Sequence, residues 1–368
     1  MSGSKSGSRD FAQSAIRQKP DTRYRILVNP DSGPYCAKAT QGWTIPPCRI
    51  NIGGMQVYPL KSGPIYKERI WGGDKLREVF GREMPKGKRI GESWELADLP
   101  DDKSKIVNGE LAGETLESVI RKYTREITGA EQFKLPFPLL IKLLDCGDVL
   151  SVQVHPDEAT CERMGKGNFK TECWYIIEAQ PGAVIYKGLK KGVTKEKLTQ
   201  AIKDGTVERL LNKVPVMVGE CHYLPAGTPH AIGAGLLIAE IQTPSDTTYR
   251  VFDWNRVDDK GKPRPLHIEE AMESIHFDPS GDNLSVTTFG RLVDSEYFKV
   301  DKGHQARSCE MLLSAGKMKT IMILSGFGTI IGNGNTVEFR AGDTILIPAA
   351  YGGVMCFSAE TEYLTATI

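Results

Sequence analysis

Ser151, Gln153 and His155 occupy alternate positions of the segment Leu-Ser-Val-Gln-Val-His (150–155), between Leu150, Val152 and Val154. Strand side chains alternate between two faces, so this segment is expected to turn an apolar face one way and a hydroxyl, an amide and an imidazole the other. Downstream, in Phe-Lys-Thr-Glu-Cys-Trp-Tyr, Lys170, Glu172 and Trp174 share a strand face by the same rule. A third stretch has the form Gly-x5-Pro-x-Gly-x2-His, with Gly219, Pro225, Gly227 and His230. It reads as a strand, a tight turn that needs Pro and Gly, and a histidine aimed inward from the next strand. Two further residues are out of place chemically. Lys142 interrupts Leu-Leu-Ile-Lys-Leu-Leu-Asp, and Glu240 interrupts Leu-Leu-Ile-Ala-Glu-Ile-Gln. Charged side chains are rarely buried unpaired, so each calls for a partner or a ligand.

The Gly219–His230 stretch resembles the second motif of the cupin superfamily, although Ala234 stands where that motif often ends in Asn. The first cupin motif offers His-x-His and a later Glu; Gln153-Val154-His155 and Glu172 stand in that place. A lone Gln-x-His would read more simply as a hydrogen-bonded core histidine. The second motif independently predicts a barrel-lining histidine, and together they point to Gln153, His155, Glu172 and His230 converging on one metal ion. Imidazole and carboxylate are ordinary zinc ligands, and an amide oxygen is a weaker, neutral one. One carboxylate against a divalent ion leaves a residual positive charge, suited to polarising a substrate oxygen and attracting an anion. His222, His267, His276 and His304 lack such context and read as structural or surface residues.

The elements that must position these groups are mainly strands. From 55 to 112 short segments alternate with turn signals, as in an all-β domain. Residues 115–128 place Leu116, Val119, Ile120, Tyr123 and Ile127 on one helical face, with Gly129 as C-cap. The run 135–145 reads as a buried strand, 194–214 as a helical insertion split at Gly205, 219–252 as strands and 265–275 as a short helix. From 284 to 368 a smaller β domain is expected. A weak repeat, Gly-x5-Pro-Ala at 219–226 and 342–349, suggests two barrels on one plan. The fold class is therefore all-β: two cupin (jelly-roll) barrels with a small helical insertion. The catalytic barrel is expected over 55–275 and a metal-free one over 276–368, where Gly353 replaces His230. Residues 1–54 carry eight Lys/Arg against three Asp and no apolar periodicity. They read as a disordered leader, with Met55 as an alternative start and a targeting segment as the rival reading.

The chain has 368 residues, 40% hydrophobic and 25% charged, with a formal net charge of +1. That balance gives no electrostatic case for nucleic acid or an anionic membrane, and no apolar run is long enough to span a bilayer. The eight cysteines form no Cys-x-x-Cys pair and read as free thiols of a cytoplasmic protein.

The stretches Lys-Leu-Leu-Asp-Cys-Gly-Asp-Val-Leu-Ser-Val-Gln-Val-His-Pro-Asp-Glu, Lys-Thr-Glu-Cys-Trp-Tyr, Leu-Pro-Ala-Gly-Thr-Pro-His-Ala-Ile and Pro-Ser-Asp-Thr-Thr-Tyr-Arg-Val-Phe-Asp-Trp-Asn-Arg resemble type I mannose-6-phosphate isomerase in its short bacterial form. The resemblance covers about residues 57–368. It implies a zinc enzyme, one ion per chain, interconverting mannose 6-phosphate and fructose 6-phosphate through a cis-enediol. It implies metal ligation by Gln153, His155, Glu172 and His230, and an essential arginine at Arg250. Lys142, Ser151, Lys170, Glu240 and Asp246 fall on active-site positions, with Glu92 and Trp94 near the pocket. Within that frame, the metal and Arg250 are assigned to the enediolate oxygens, Glu240 and then Lys170 to the base, and Lys142 and Ser151 to the phosphate. Arg250 could instead be a structural partner of Asp246 or Asp253, and Trp71, Trp94 and Trp174 could be core rather than pocket wall. The expected partner is a small phosphosugar, with neither nucleic acid nor membrane, in a monomer or homodimer. Two other readings stay open: an Fe(II) cupin dioxygenase using His155, Glu172 and His230, and a non-catalytic sugar-phosphate binder.

Overall fold

The computed structural model describes residues 57–257, 261–277 and 284–368. The leader expected over 1–54 and the alternative start at Met55 lie outside them. The polar residues singled out above fall on or beside two antiparallel sheets. One has five strands in the order Tyr249–Phe252, Val152–Val154, His230–Ile232, Val184–Leu189, Leu211–Pro215. The other has six, in the order Ile65–Glu68, Ile90–Leu96, Leu140–Cys146, Leu236–Gln242, Glu172–Ala179, Cys221–Leu224. The chain passes back and forth between the two sheets, and their facing sides share a core of Leu144, Trp174, Ile176 and Ile238 with Ile185 and Ile232.

Both sheets are also covered on their outer sides. Val152, Val154, Tyr186, Ala231 and Val251 pack under the helices Lys195–Lys203 and Ile268–Ser274 through Leu198, Ala201, Ala271 and Met272. Ile141, Leu143, Tyr175, Leu237, Ala239 and Ile241 pack on Leu116, Val119 and Ile120 and on Val300, Met322, Leu346, Leu364 and Ala366 of a third sheet. Leu140–Cys146 and Leu236–Gln242 are therefore buried on both faces, which is why they read as unbroken apolar runs. Each fully buried Leu or Ile contributes about 1.5–3 kcal/mol. A charge in such a strand must consequently be matched from inside the protein.

The third sheet runs Leu60–Lys61, Thr344–Ile347, Lys319–Ile323, Thr361–Thr367, Lys299–Gln305, Arg291–Asp294. A fourth runs Glu310–Leu313, Gly353–Phe357, Phe327–Gly332, Asn335–Arg340, and a second core of Ile321, Ile323, Ile330, Phe339, Ile345, Met355 and Phe357 joins them. Leu60–Lys61 pairs with Leu346 and Ile345, so the start of the described chain adds a strand to the sheet built from its end.

Three local expectations are revised. The helical pattern over 194–214 yields a helix only to Lys203. Gly205 adopts a left-handed φ of 67°, a 3-10 turn follows at Val207–Leu210, and Leu211–Pro215 is a strand against Val184–Leu189. The helix over 115–128 is broken at Tyr123 into Leu116–Lys122 and Thr124–Thr128, and Gly129 closes it in the left-handed conformation as expected. Leu150 precedes the strand and joins the core between the sheets, not the outer core of Val152 and Val154. No helix among the described residues is long and apolar enough to cross a membrane.

Candidate metal centre and active site

Directly opposed residues of antiparallel strands point to the same face. Gln153 is opposite His230 on one side and Arg250 on the other, and His230 is opposite Lys187. Arg250, Gln153, His230 and Lys187 thus form one row. In the facing sheet Trp94, Lys142, Glu240, Trp174 and His222 form a second row, and Gln242 lies opposite Glu172 one pleat along. His155 stands just past the end of its strand. The turn before His230 reaches back to it: Gly227, at φ 82°, donates its N–H to the His155 carbonyl at 2.8 Å. A Cβ on Gly227 would lie 2.5 Å from the His276 ring, so both conformation and space require glycine there.

The ligating atoms of His155, Glu172 and His230 all lie within 4.8 Å of one another. His155 Nε2 is 3.5 Å from Glu172 Oε2, and His230 Nε2 is 3.3 Å from Glu172 Oε1. His155 Nδ1 bonds the Thr247 carbonyl and His230 Nδ1 the Thr228 carbonyl, each at 2.8 Å. A carbonyl only accepts, so Nδ1 carries the proton in each ring and Nε2 turns its lone pair to the cluster. Both rings are held neutral. Burial, with Lys170 and His230 nearby, keeps His155 well below its ordinary value. Burial lowers His230 to about 4 despite its bond to Thr228. Burial and then Glu240 push Glu172 up to about 7, against the pull of Lys170.

Both Nε2 atoms and Glu172 Oε1 are buried without a hydrogen-bond partner, and Glu172 Oε2 has the Lys170 ammonium at 2.9 Å. Three such orphans converging on one point would be costly if nothing bound there. Two neutral imidazoles and a carboxylate are an ordinary donor set for a divalent transition metal, so the residues present fit such an ion. Gln153, between His230 and Arg250 in its row, stands beside this set.

Next to the cluster lies a buried charge network. Lys142 Nζ is 3.0 Å from Glu240 Oε1, and Lys170 Nζ is 2.9 Å from Glu172 Oε2 and 3.9 Å from Glu240 Oε1. Trp174 Nε1 donates to Glu240 Oε2 at 3.0 Å. Burial alone would raise Glu240, but Lys142 and Lys170 outweigh it and hold the carboxyl down to about 2. Burial disfavours the Lys170 ammonium, yet Glu172 and Glu240 hold its pKa above the ordinary lysine value. The charged residues that looked anomalous in apolar runs are therefore mutual partners. Glu92 accepts from Arg69 Nε and Trp94 Nε1, both at 2.7 Å. Against the effect of burial, Lys142 and Arg69 keep it below the usual carboxylate range.

Arg250 donates from Nε to Ser151 Oγ at 3.3 Å and from Nη1 to the Pro265 carbonyl at 2.7 Å. Among the described residues no carboxylate forms an ion pair with it. Asp253 is taken instead by Arg256 Nη2 at 2.6 Å and Arg264 Nε at 2.7 Å. Burial, then the nearby Arg264, lower the Arg250 pKa. Asp246 stands exposed in the loop before Tyr249, outside the hydrogen bonds and ion pairs that join the other site residues.

Two buried polar residues beside these rows, Lys187 and Gln242, escaped the sequence reading, and His222, read as structural or surface, is buried with them. Lys187 follows Ile185 and Gln242 follows Glu240 at strand spacing, so alternation alone placed both inward. His222 is buried opposite Trp174, with Nε2 3.3 Å from Glu220 Oε2.

A mostly β, cupin-like protein with a buried His/Glu/His cluster is the class that fold and site define. The family model for the phosphomannose isomerase type I catalytic domain matches residues 58–175. The chain is 41% identical over 307 residues to the Bacillus subtilis protein named "Probable mannose-6-phosphate isomerase GmuF", covering 80% of this chain and 95% of that one. It is 39% identical over 288 residues to mannose-6-phosphate isomerase of Streptococcus mutans, covering 76% and 89%. The crystal structure of mannose 6-phosphate isomerase from Bacillus subtilis matches with a TM-score of 0.76 at 31% identity, over 84% of this chain and 99% of that one. The chain belongs to the type I mannose-6-phosphate isomerase family.

Proposed function

We propose that this chain interconverts mannose 6-phosphate and fructose 6-phosphate between its first two sheets, with zinc held by His155, Glu172, His230 and Gln153. The observation that carries this reading is the set of three orphaned ligand atoms on His155, Glu172 and His230 beside the Lys142–Glu240–Lys170 network. When bound, the ion supplies a positive charge that polarises substrate oxygens. The chain's own residues do the rest. Arg250, oriented by Ser151 and the Pro265 carbonyl, stabilises negative charge that develops on the oxygens of a cis-enediol. Glu240 is the base between C1 and C2: it is ionised in the resting site, whereas Lys170 must first lose a proton. The lysines that keep it ionised also make it a weaker base. Lys142 and Ser151 offer an ammonium and a hydroxyl to the phosphate. Asp246 and Glu92 belong to the substrate-binding rim in this reading.

The two sheet pairs are read as two cupin barrels, the catalytic one over 55–275 and a metal-free one over 276–368. Family membership favours isomerisation over the Fe(II) dioxygenase and the non-catalytic binder. The test is a coupled isomerase assay on mannose 6-phosphate before and after chelation. Turnover that is lost with chelator and restored by zinc is expected. Undiminished turnover in metal-free protein would sink the metal assignment, and no turnover in zinc-loaded protein would sink the isomerase itself.

A further inference from the structure

Gln242 is fully buried, and its Nε2 donates to the carbonyls of Thr243 at 2.8 Å and Ser245 at 2.6 Å. Both partners are carbonyls, so the amide orientation is fixed: the NH2 group faces the loop. Oε1 is left buried with no partner. The loop in question, 243–247, has no strand or helix ladder to hold it. Beyond the backbone bonds from Thr243 N to the Thr171 carbonyl at 3.1 Å and from Ser245 N to the Thr243 carbonyl at 2.7 Å, side-chain bonds hold it. Ser245 Oγ donates to the Asn168 carbonyl at 2.9 Å and accepts from Thr247 N at 3.2 Å, and Thr247 Oγ1 accepts from Asn168 N at 2.9 Å. At the end of this chain the Thr247 carbonyl takes the His155 Nδ1 proton.

We propose that Gln242 is a positioning residue for His155: its amide pins the 243–247 loop, and the loop fixes the tautomer and aim of the imidazole. The proposal rests on the reading of His155 as a metal ligand and deepens it. The outer partners of ligating histidines set ring orientation and basicity, and their loss typically costs about 10–100-fold in metal affinity or activity. His230 supplies an internal control, because its Nδ1 is held by the Thr228 carbonyl on a different turn.

The test uses Gln242→Met, of similar shape with neither donor, and Ser245→Ala, which loosens the same loop one link further on. Zinc affinity is measured by competition with a chelating dye. The Nδ1–H resonances of both histidines are followed in metal-free, 15N-labelled full-length protein, and kcat and KM are measured separately. We expect Gln242→Met to melt somewhat below wild type, because the buried Ser245 carbonyl loses its donor even as the orphaned oxygen is removed. Zinc should bind about 10–100-fold more weakly, and kcat should fall while KM changes little. The His155 signal should broaden or exchange faster while that of His230 stays sharp. Ser245→Ala should shift the same readouts less, and it decides the matter if Gln242→Met fails to fold. Wild-type zinc affinity together with an unchanged His155 signal would overturn the proposal. Wild-type protein that binds no zinc would sink the metal reading instead, and the His155 signal would still report on the loop.

Discussion

At the scale of single residues, Arg250 separates catalysis from scaffolding. Its guanidinium is oriented by a hydroxyl and a carbonyl, and the carboxylate that might have claimed it, Asp253, is bound by Arg256 and Arg264. Removing one donor to a developing oxyanion typically lowers turnover by about 10²–10³. We expect Arg250→Ala to show a loss of that size with zinc still bound and melting little changed. Arg250→Lys should recover only part of it, because a point charge cannot copy a planar fork. Melting, metal content and steady-state kinetics on one preparation decide it: a stable, zinc-loaded Arg250→Ala with wild-type turnover ends the assignment. Much of this site was legible because strand alternation converts spacing into direction. Alternation sorted Gln153, His155 and Glu172 onto polar faces, whereas His230 was placed by the turn motif that precedes it. What alternation could not show is which charges meet. Lys142 and Glu240 are 98 positions apart in sequence yet directly opposed in the sheet, and only the register makes them partners.

At the scale of elements, the helix Lys75–Phe80 shows what the sequence hid. It is six residues long, and Asp74 at its N-cap makes no side-chain capping bond. The cap comes from Asp145, whose Oδ2 accepts the Leu76 N–H at 3.0 Å. Short helices are marginal alone, and nothing local to 75–80 announces a partner 69 residues away. The other Asp145 oxygen is buried without a partner, and burial raises this carboxyl from 3.8 to about 6 despite its bonds to the helix N–H groups and the charge of Lys75. Asp74 adds a smaller push upward. The sign follows: the folded protein holds this proton more tightly than the unfolded chain. The stabilisation is complete below about pH 4 and is lost as pH rises through about 6. At about 1.4 kcal/mol per unit, it is on the order of 2–3 kcal/mol. Asp145→Asn keeps an acceptor for Leu76 and removes the titration. With both proteins metal-free, urea unfolding should favour the variant more at pH 7.5 than at pH 4.5. An equal difference at the two values would show that Asp145 carries no raised pKa.

At the scale of the whole molecule, the two cores divide the work by composition. The core between the first two sheets is interrupted by a layer of histidine, carboxylate and lysine. The core between the other two is closed by Ile321, Ile323, Ile330, Phe339, Ile345, Ile347, Met355 and Phe357. At the place matched to His230 the second carries Gly353, where a Cβ would meet the Ile331 carbonyl at 2.5 Å and Tyr351 Oη at 2.7 Å, so that position has no room for any side chain. The two sheet pairs thus differ in content at the positions the sequence repeat matches, and that difference predicts a single metal per chain. A ligand bound only by the native state adds stability by mass action, about 2.7 kcal/mol at a hundred times its dissociation constant. Zinc at that excess should raise the melting temperature of chelator-treated protein, with elemental analysis giving one ion per chain. His230→Ala and His155→Ala should each abolish both the ion and the thermal shift, since ligands buried in one cluster cannot be lost singly without leaving the others unpaired. Two ions per chain, or a zinc-dependent shift that survives both substitutions, would place the metal somewhere other than between the first two sheets.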